Sequence, residues 1–124
     1  MTIAKASEHT AWGTIVVFTQ TSAANTAQTC STDGLMPYKI LFVTMDATGS
    51  ATSDVTYTLN SSIGSAFDAL LETDSGATTG LFIPAYDCIL MTGDALDVTA
   101  GNASGSDTTS VAIYCMMADD NWGH

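Results

Sequence analysis

Residues 54–60 read Asp54-Val-Thr-Tyr-Thr-Leu-Asn60. Val55, Tyr57 and Leu59 alternate with Thr56 and Thr58. A two-residue period sends apolar side chains to one face and hydroxyls to the other. That is a half-buried strand with one face on a core and one in water, as antiparallel sandwiches require.

Working upstream, 38–46 (YKILFVTMD) is the strongest strand. One face would carry Tyr38, Ile40, Phe42 and Thr44, the other Lys39, Leu41, Val43 and Met45. Both are mostly apolar, so the strand is central or covers an interface. The turn between them, ATGSATS at 47–53, is small and polar. Residues 14–19 (TIVVFT) form a further strand, and 21–37 reads as a long loop ending in turn chemistry at Asp33-Gly34 and Pro37.

Downstream, Ile63, Ala66, Phe67, Leu70 and Leu71 fall at helical spacing behind Ser61 or Ser62 as N-cap, which predicts a short helix over 62–72. TDSGATTG at 73–80 reads as a loop. Short strands follow at 81–83, 86–91, 95–100 and 109–117, with Thr92-Gly93-Asp94 as a hairpin turn and 101–108 as a loop. In that hairpin Leu96 and Val98 would face the core and Asp97 the opposite side. The expectation is an all-β antiparallel sandwich or jelly roll of about seven to eight strands with one short helix. The domain spans 13–118, between an N-terminal arm at 1–12 and a C-terminal tail at 119–124.

Composition narrows the function. The chain has 124 residues, enough for one domain with a real core, and 12% of them are charged. That is about half the usual share, so Thr, Ser and Asn must make the polar surface. Thirteen acidic residues face two lysines and no arginine, for a net charge of −11. Such a surface repels nucleic acid and anionic membranes. No apolar run reaches the ~20 residues of a membrane helix, and no secretory leader is visible. Cys30, Cys88 and Cys115 have no CxxC spacing and read as reduced thiols in a cytosolic product.

Catalytic patterns are missing. His9 and His124 sit near the two ends, far from any nucleophile motif. Glu8 and Glu72 are the only glutamates, a poor basis for a carboxylate pair. No zinc spacing or phosphate cradle occurs, and no cofactor is expected. Calcium is the one ion worth weighing, through Asp46, Asp54, Asp74, Asp107, Asp119 and Asp120, but these lack DxDxDG spacing and suit turns better. The chain reads as a non-enzyme.

What remains is an excess of large apolar residues: Trp12, Phe18, Leu35, Met36, Met45, Met91, Met116, Met117 and Trp122. Met and Trp are common at adaptable interfaces. The expected partner contacts are Ile3, Trp12, Leu35, Met36, Met116 and Trp122, together with the two ends (1–12 and 119–124) and the 23–37 loop.

The segments YKILFVTMDATGSATSDVTYTL and GLFIPAYDCILMTGDALDVTAGNASGSDTTSVAIYCMM resemble the small β-sandwich structural proteins of tailed bacteriophages. The shared order is strand, Gly/Ser/Thr turn, alternating strand, a single Pro, an apolar strand ending in Gly-Asp, an L-x-V strand and a closing V-x-I-x-Y strand. The resemblance implies a virion location after assembly in a bacterial cytoplasm, as a capsid decoration or cement protein. It also implies the major capsid protein or another virion protein as partner, and a homo-oligomer with a trimer favoured. A second expectation is a carbohydrate- or receptor-binding module of a fibre or tail, using Tyr38, Tyr57, Tyr86, Tyr114 and Trp122 as an aromatic row.

Overall fold

A computed structural model describes residues 2–48, 53–101 and 107–117. The tail at 119–124, with Trp122 and His124, lies outside the described residues, as do Asn102 and most of the 101–108 loop. Ten strands are described: β1 (Ala4–Thr10), β2 (Gly13–Thr21), β3 (Gln28–Ser31), β4 (Tyr38–Ala47), β5 (Ser53–Asn60), β6 (Ala69–Ala77), β7 (Thr79–Phe82), β8 (Cys88–Leu90), β9 (Ala95–Ala100) and β10 (Thr109–Met117). They form two antiparallel sheets packed as a sandwich. A six-stranded sheet runs β1-β2-β10-β4-β7, with β8 sharing the β4 edge; a four-stranded sheet runs β3-β9-β5-β6.

The alternation in 54–60 behaves as its period demands. Val55 and Tyr57 are fully buried, while Thr56 and Thr58 lie on the outer side of β5. Opposite them, Val16, Phe18, Val43, Met45, Val111 and Ile113 close the core from the larger sheet. Each such side chain contributes about 1.5–3 kcal/mol by leaving water. Tyr57 stacks on Phe82 across the two sheets, with centroids 4.8 Å apart, and Phe18 meets Tyr38 edge-on at 5.6 Å.

Several expectations are corrected. No α-helix forms over 62–72: three residues, Ser65–Phe67, make a 3-10 turn, and Ala69 onward is strand β6. Ile63, Phe67, Leu70 and Leu71 share a helical spacing but are all exposed, so no burial rewards the helix. Residues 73–80, read as a loop, belong almost wholly to β6 and β7. The long 21–37 loop contains β3, and the N-terminal segment forms β1, paired with β2 from Ala4↔Thr19 to Thr10↔Gly13.

The stretch around Gly93 is not a hairpin. β8 pairs with β4 in one sheet, whereas β9 pairs with β3 and β5 in the other. Met91–Asp94 therefore carries the chain across the sandwich. Leu96 and Val98 are buried as expected, and Asp97 takes the opposite face.

β4 departs from simple alternation. Tyr114 pairs with Phe42 and Cys115 with Ile40, so Leu41 is an extra residue, a β-bulge. The bulge inverts the faces: Tyr38 and Ile40 point in before it, Val43 and Met45 after it. Phe42 and Thr44 are turned outward, away from Tyr38 and Ile40.

Candidate functional site

The bulge at Leu41 shapes the outer face of the six-stranded sheet. Phe42, turned outward, stacks on Tyr114 of β10, with centroids 4.4 Å apart and planes 23° from parallel. The register places Val17 beside Tyr114 and Ile15 beside Met116 on the same side. Leu81 of β7 and Ile89 of β8 extend the face toward the β4 edge and are exposed. Ala4 and Ala6 extend it on β1. In the other sheet most outer side chains are polar, though Leu70 of β6, opposite Thr58, is apolar and exposed. Thr29 bonds Thr99 at 3.1 Å, and Asp97 accepts from Ser31 at 2.7 Å and Asn60 at 3.3 Å. The six-stranded face thus carries an apolar stripe through Ala6, Val17, Tyr114 and Phe42, bordered by Thr19, Thr21, Thr44, Thr79 and Ser110.

Among the described residues most carboxylates lie in loops or on the edge strand β6 rather than on either outer face. Only Glu8, Asp46 and Lys39 belong to the apolar face by register, and Lys39 is paired with Asp87 at 3.2 Å. The other lysine, Lys5, lies on the inner side of β1 over the Phe18 ring and bonds Asp33 at 2.7 Å. Asp33 also accepts from the Tyr38 hydroxyl at 2.9 Å and the Leu35 N–H at 3.1 Å. Burial opposes ionisation of Asp33, but Lys5 and these donors outweigh it and hold the carboxyl below its ordinary value.

Two open grooves flank the loop between β7 and β8. One of 240 Å³ runs over the bulge, between Lys39–Leu41 and Pro84–Asp87; the other, of 470 Å³, lies between Leu71 and Phe82–Cys88. The larger lining includes Cys88 with Glu72 and Asp87, but burial pushes the Cys88 thiol up, away from a reactive thiolate. His9, from which a triad would be built, has its Nδ1 2.7 Å from the Thr14 hydroxyl. Among the described residues no group of three or more His, Cys, Asp or Glu side chains is placed to hold a metal ion. The loop aspartates are engaged locally: Asp107 accepts from Thr48, Asp74 from the Tyr57 hydroxyl and Asp54 from the Gly76 N–H. All three cysteines are free thiols. Burial pushes Cys30 up to about 11 and Cys115 up to about 12, which leaves both protonated and inert at neutral pH.

The sequence-selected contact residues do not form one site. Trp12 is 85% exposed at the β1–β2 turn, and Leu35 is also exposed in the loop before β4. Ile3 lines a groove with Lys5, Phe18 and Asp33, at the opposite end of β1 from Trp12. Met36 packs against the core. Met116 is half-buried on the apolar face beside Gly13, and Trp122 lies outside the described residues. The excess of large side chains divides: Phe18 and Met45 fill the core, Met36 and Met117 pack against it, and Met91 is exposed. An aromatic row does not form: Tyr38 and Tyr57 are fully buried, and Tyr86 is 89% exposed in the β7–β8 loop.

Sequence reasoning missed Phe42, Leu81, Ile89 and Val17 as members of one surface. The signal was present in the two-sided apolar strands at 38–46 and 109–117. No family model matches the chain, and no curated protein matches it.

Proposed function

We propose that this chain is a non-enzymatic structural protein of a virion, a decoration or cement subunit that works as an oligomer on the head shell of a tailed phage. The observation that carries the reading is the apolar stripe on the outer face of the six-stranded sheet, around the stacked Phe42 and Tyr114. An apolar sheet face on a strongly acidic chain is a docking surface, because isolated soluble domains rarely keep large contiguous apolar patches in water. The resemblance in the strand order of 38–117 supplies the virion context, the capsid partner and the preference for a trimer. A cement protein bridges neighbours with area and shape, which needs no catalytic group. The receptor-binding alternative relies on exposed aromatics, and burial of Tyr38 and Tyr57 leaves it Tyr86 among the described candidates beyond the stacked Tyr114.

The test uses phage heads assembled without the chain. Added protein should co-sediment with them and raise the temperature at which they release DNA. Heads that neither bind the protein nor gain thermal resistance would sink the reading.

A further inference from the structure

We infer that the outer face of the six-stranded sheet is the contact between two copies of this chain, packed sheet to sheet about a two-fold axis along β10. The inference rests on the proposed function only in requiring a multimer, and it differs from the trimer that the resemblance implies.

Area is the first argument. Four strands of seven to ten residues and the shared β7–β8 position, about 4.8 Å apart at about 3.3 Å per residue, span a plane of roughly 650 Å². A specific interface takes about 800 Å² from each partner. The face is thus nearly a full interface by itself, whereas the grooves beside the β7–β8 loop are only local features.

Charge is the second. A chain of net charge −11 repels its own copies. Self-association therefore needs a contact from which carboxylates are excluded, and of the eleven acidic residues among the described ones this face carries Glu8 and Asp46. A basic partner would be drawn to the loop carboxylates instead, such as Asp68, Asp87 and Asp107.

Register is the third. Glu8, Ile15, Met116, Lys39 and Ile89 lie in one row across β1, β2, β10, β4 and β8. A two-fold axis along β10 reverses that row. Met116 then meets its own copy and Ile15 lies over the Lys39 stem of the partner subunit. Glu8 falls on Ile89 of the partner subunit, about one strand spacing (~5 Å) from the face's only cation. Asp46 falls on Thr21 of the partner subunit, whose hydroxyl is already paired with Ser110 at 2.9 Å. Neither acidic side chain meets another. Sheets packed face to face keep their strands within about 30°, so this alignment is an ordinary one.

The test is mass measurement by light scattering on the purified full chain at tens of micromolar. The wild type should be a dimer or a multiple of one. Ala112→Glu, in the middle of β10 on the apolar face, should be monomeric with an unchanged circular dichroism spectrum. Thr99→Glu, on the polar face, should match the wild type. If Ala112→Glu does not fold, Val17→Glu reads the same face. Independently, Met116→Cys should give a covalent dimer with a short bismaleimide beyond any wild-type background. A monomeric wild type, or an Ala112→Glu chain as large as the wild type, would overturn the inference; so would a Met116→Cys chain that does not cross-link. A dimer that leaves phage heads unbound would overturn the proposed function alone.

Discussion

Asp94 holds Ser62 across the end of the sandwich: its Oδ1 accepts the Ser62 N–H at 2.8 Å while its Oδ2 accepts the Met91 N–H at 2.9 Å. One carboxylate thus ties the β8–β9 crossover to the loop after β5. Bonds from the Ser62 backbone and side chain, and from the Met91 N–H, hold the carboxyl below its ordinary value. Asp94→Ala leaves both backbone donors without this acceptor and should cost about 2–3 kcal/mol. The sign with pH follows from the lowered folded value. The stabilisation is full above the unfolded value of about 3.9 and is lost as pH falls through the folded one. Thermal melts from pH 7 to pH 2.5 should show the wild type converging on Asp94→Ala in acid. A gap that stays constant or widens would contradict this.

Gly93, one residue earlier, makes the same corner possible. Its φ is +94°, its N–H donates to the Gly34 carbonyl at 2.8 Å, and an added Cβ would lie 2.8 Å from the Ser62 Cβ. Gly93→Ala combines backbone strain with a clash, and should cost about 2–4 kcal/mol. Gly76→Ala is the control. Gly76 also has positive φ, +62°, but nothing lies within 4 Å of its added Cβ. Its loss should be about 1 kcal/mol, so chemical denaturation should rank the two variants clearly.

These corner residues show what was legible. Thr92-Gly93-Asp94 reads correctly as a turn, because positive φ and backbone capping are local chemistry. Which sheets the turn joins is not local: β8 and β9 are separated by it yet pair with β4 and β5. The bulge at Leu41 was equally hidden, since an extra residue leaves no mark in a run that is apolar on both faces. β1 and β3, AKASEHT and QTCS, carry too few large apolar side chains to stand out from loops. The stripe at 63–71 misled for the opposite reason, having helical spacing but no surface to bury against. The apolar face was visible only as strands with two greasy sides, and its membership required the register.

The thiols should separate by burial. Cys30 and Cys115 are fully buried, and Cys88 is half-buried with its thiol also pushed up by burial. Alkylation of the native chain at pH 8 should label Cys88 slowly and the other two not at all within the lifetime of the fold. Denaturant should expose all three. Mass spectrometry of the adducts checks this, and rapid native labelling of Cys30 or Cys115 would contradict the packing.

Two glutamines at the β2–β3–β10 end of the core should respond oppositely. Gln28 Nε2 donates to the Thr109 carbonyl at 2.7 Å, a contact between the two sheets. Gln20 is also buried, and its Oε1, like that of Gln28, has no hydrogen-bond partner among the described residues, so the two differ in the Gln28 amide bond to Thr109. Removing a satisfied bond costs more than removing an unsatisfied polar atom. Gln28→Leu should therefore lose about 1–2 kcal/mol, while Gln20→Leu should be neutral or slightly stabilising. Denaturant midpoints would show the order, and a larger loss at Gln20 would contradict it.

The Lys5–Asp33–Tyr38 cluster distinguishes an ion pair from a buried hydrogen bond. Lys5 and Asp33 are 2.7 Å apart with side chains 41% and 24% exposed, so the pair is largely solvated. Lys5→Met should cost less than about 1 kcal/mol, and the loss should shrink in high salt. Tyr38 is fully buried, and its hydroxyl reaches Asp33 at 2.9 Å. Asp33→Ala strands that hydroxyl and the Leu35 N–H together, and should cost about 2–3 kcal/mol with little dependence on salt. Tyr38→Phe removes the donor with the acceptor left near water, and should cost about 1 kcal/mol. Adding Tyr38→Phe to Asp33→Ala should then cost little more than Asp33→Ala alone, because the stranded hydroxyl is gone. A double-mutant cycle by chemical denaturation measures this. Strictly additive losses would mean that Asp33 acts only through Lys5 and Leu35, and that the Tyr38 hydroxyl contributes nothing to holding the loop on the core.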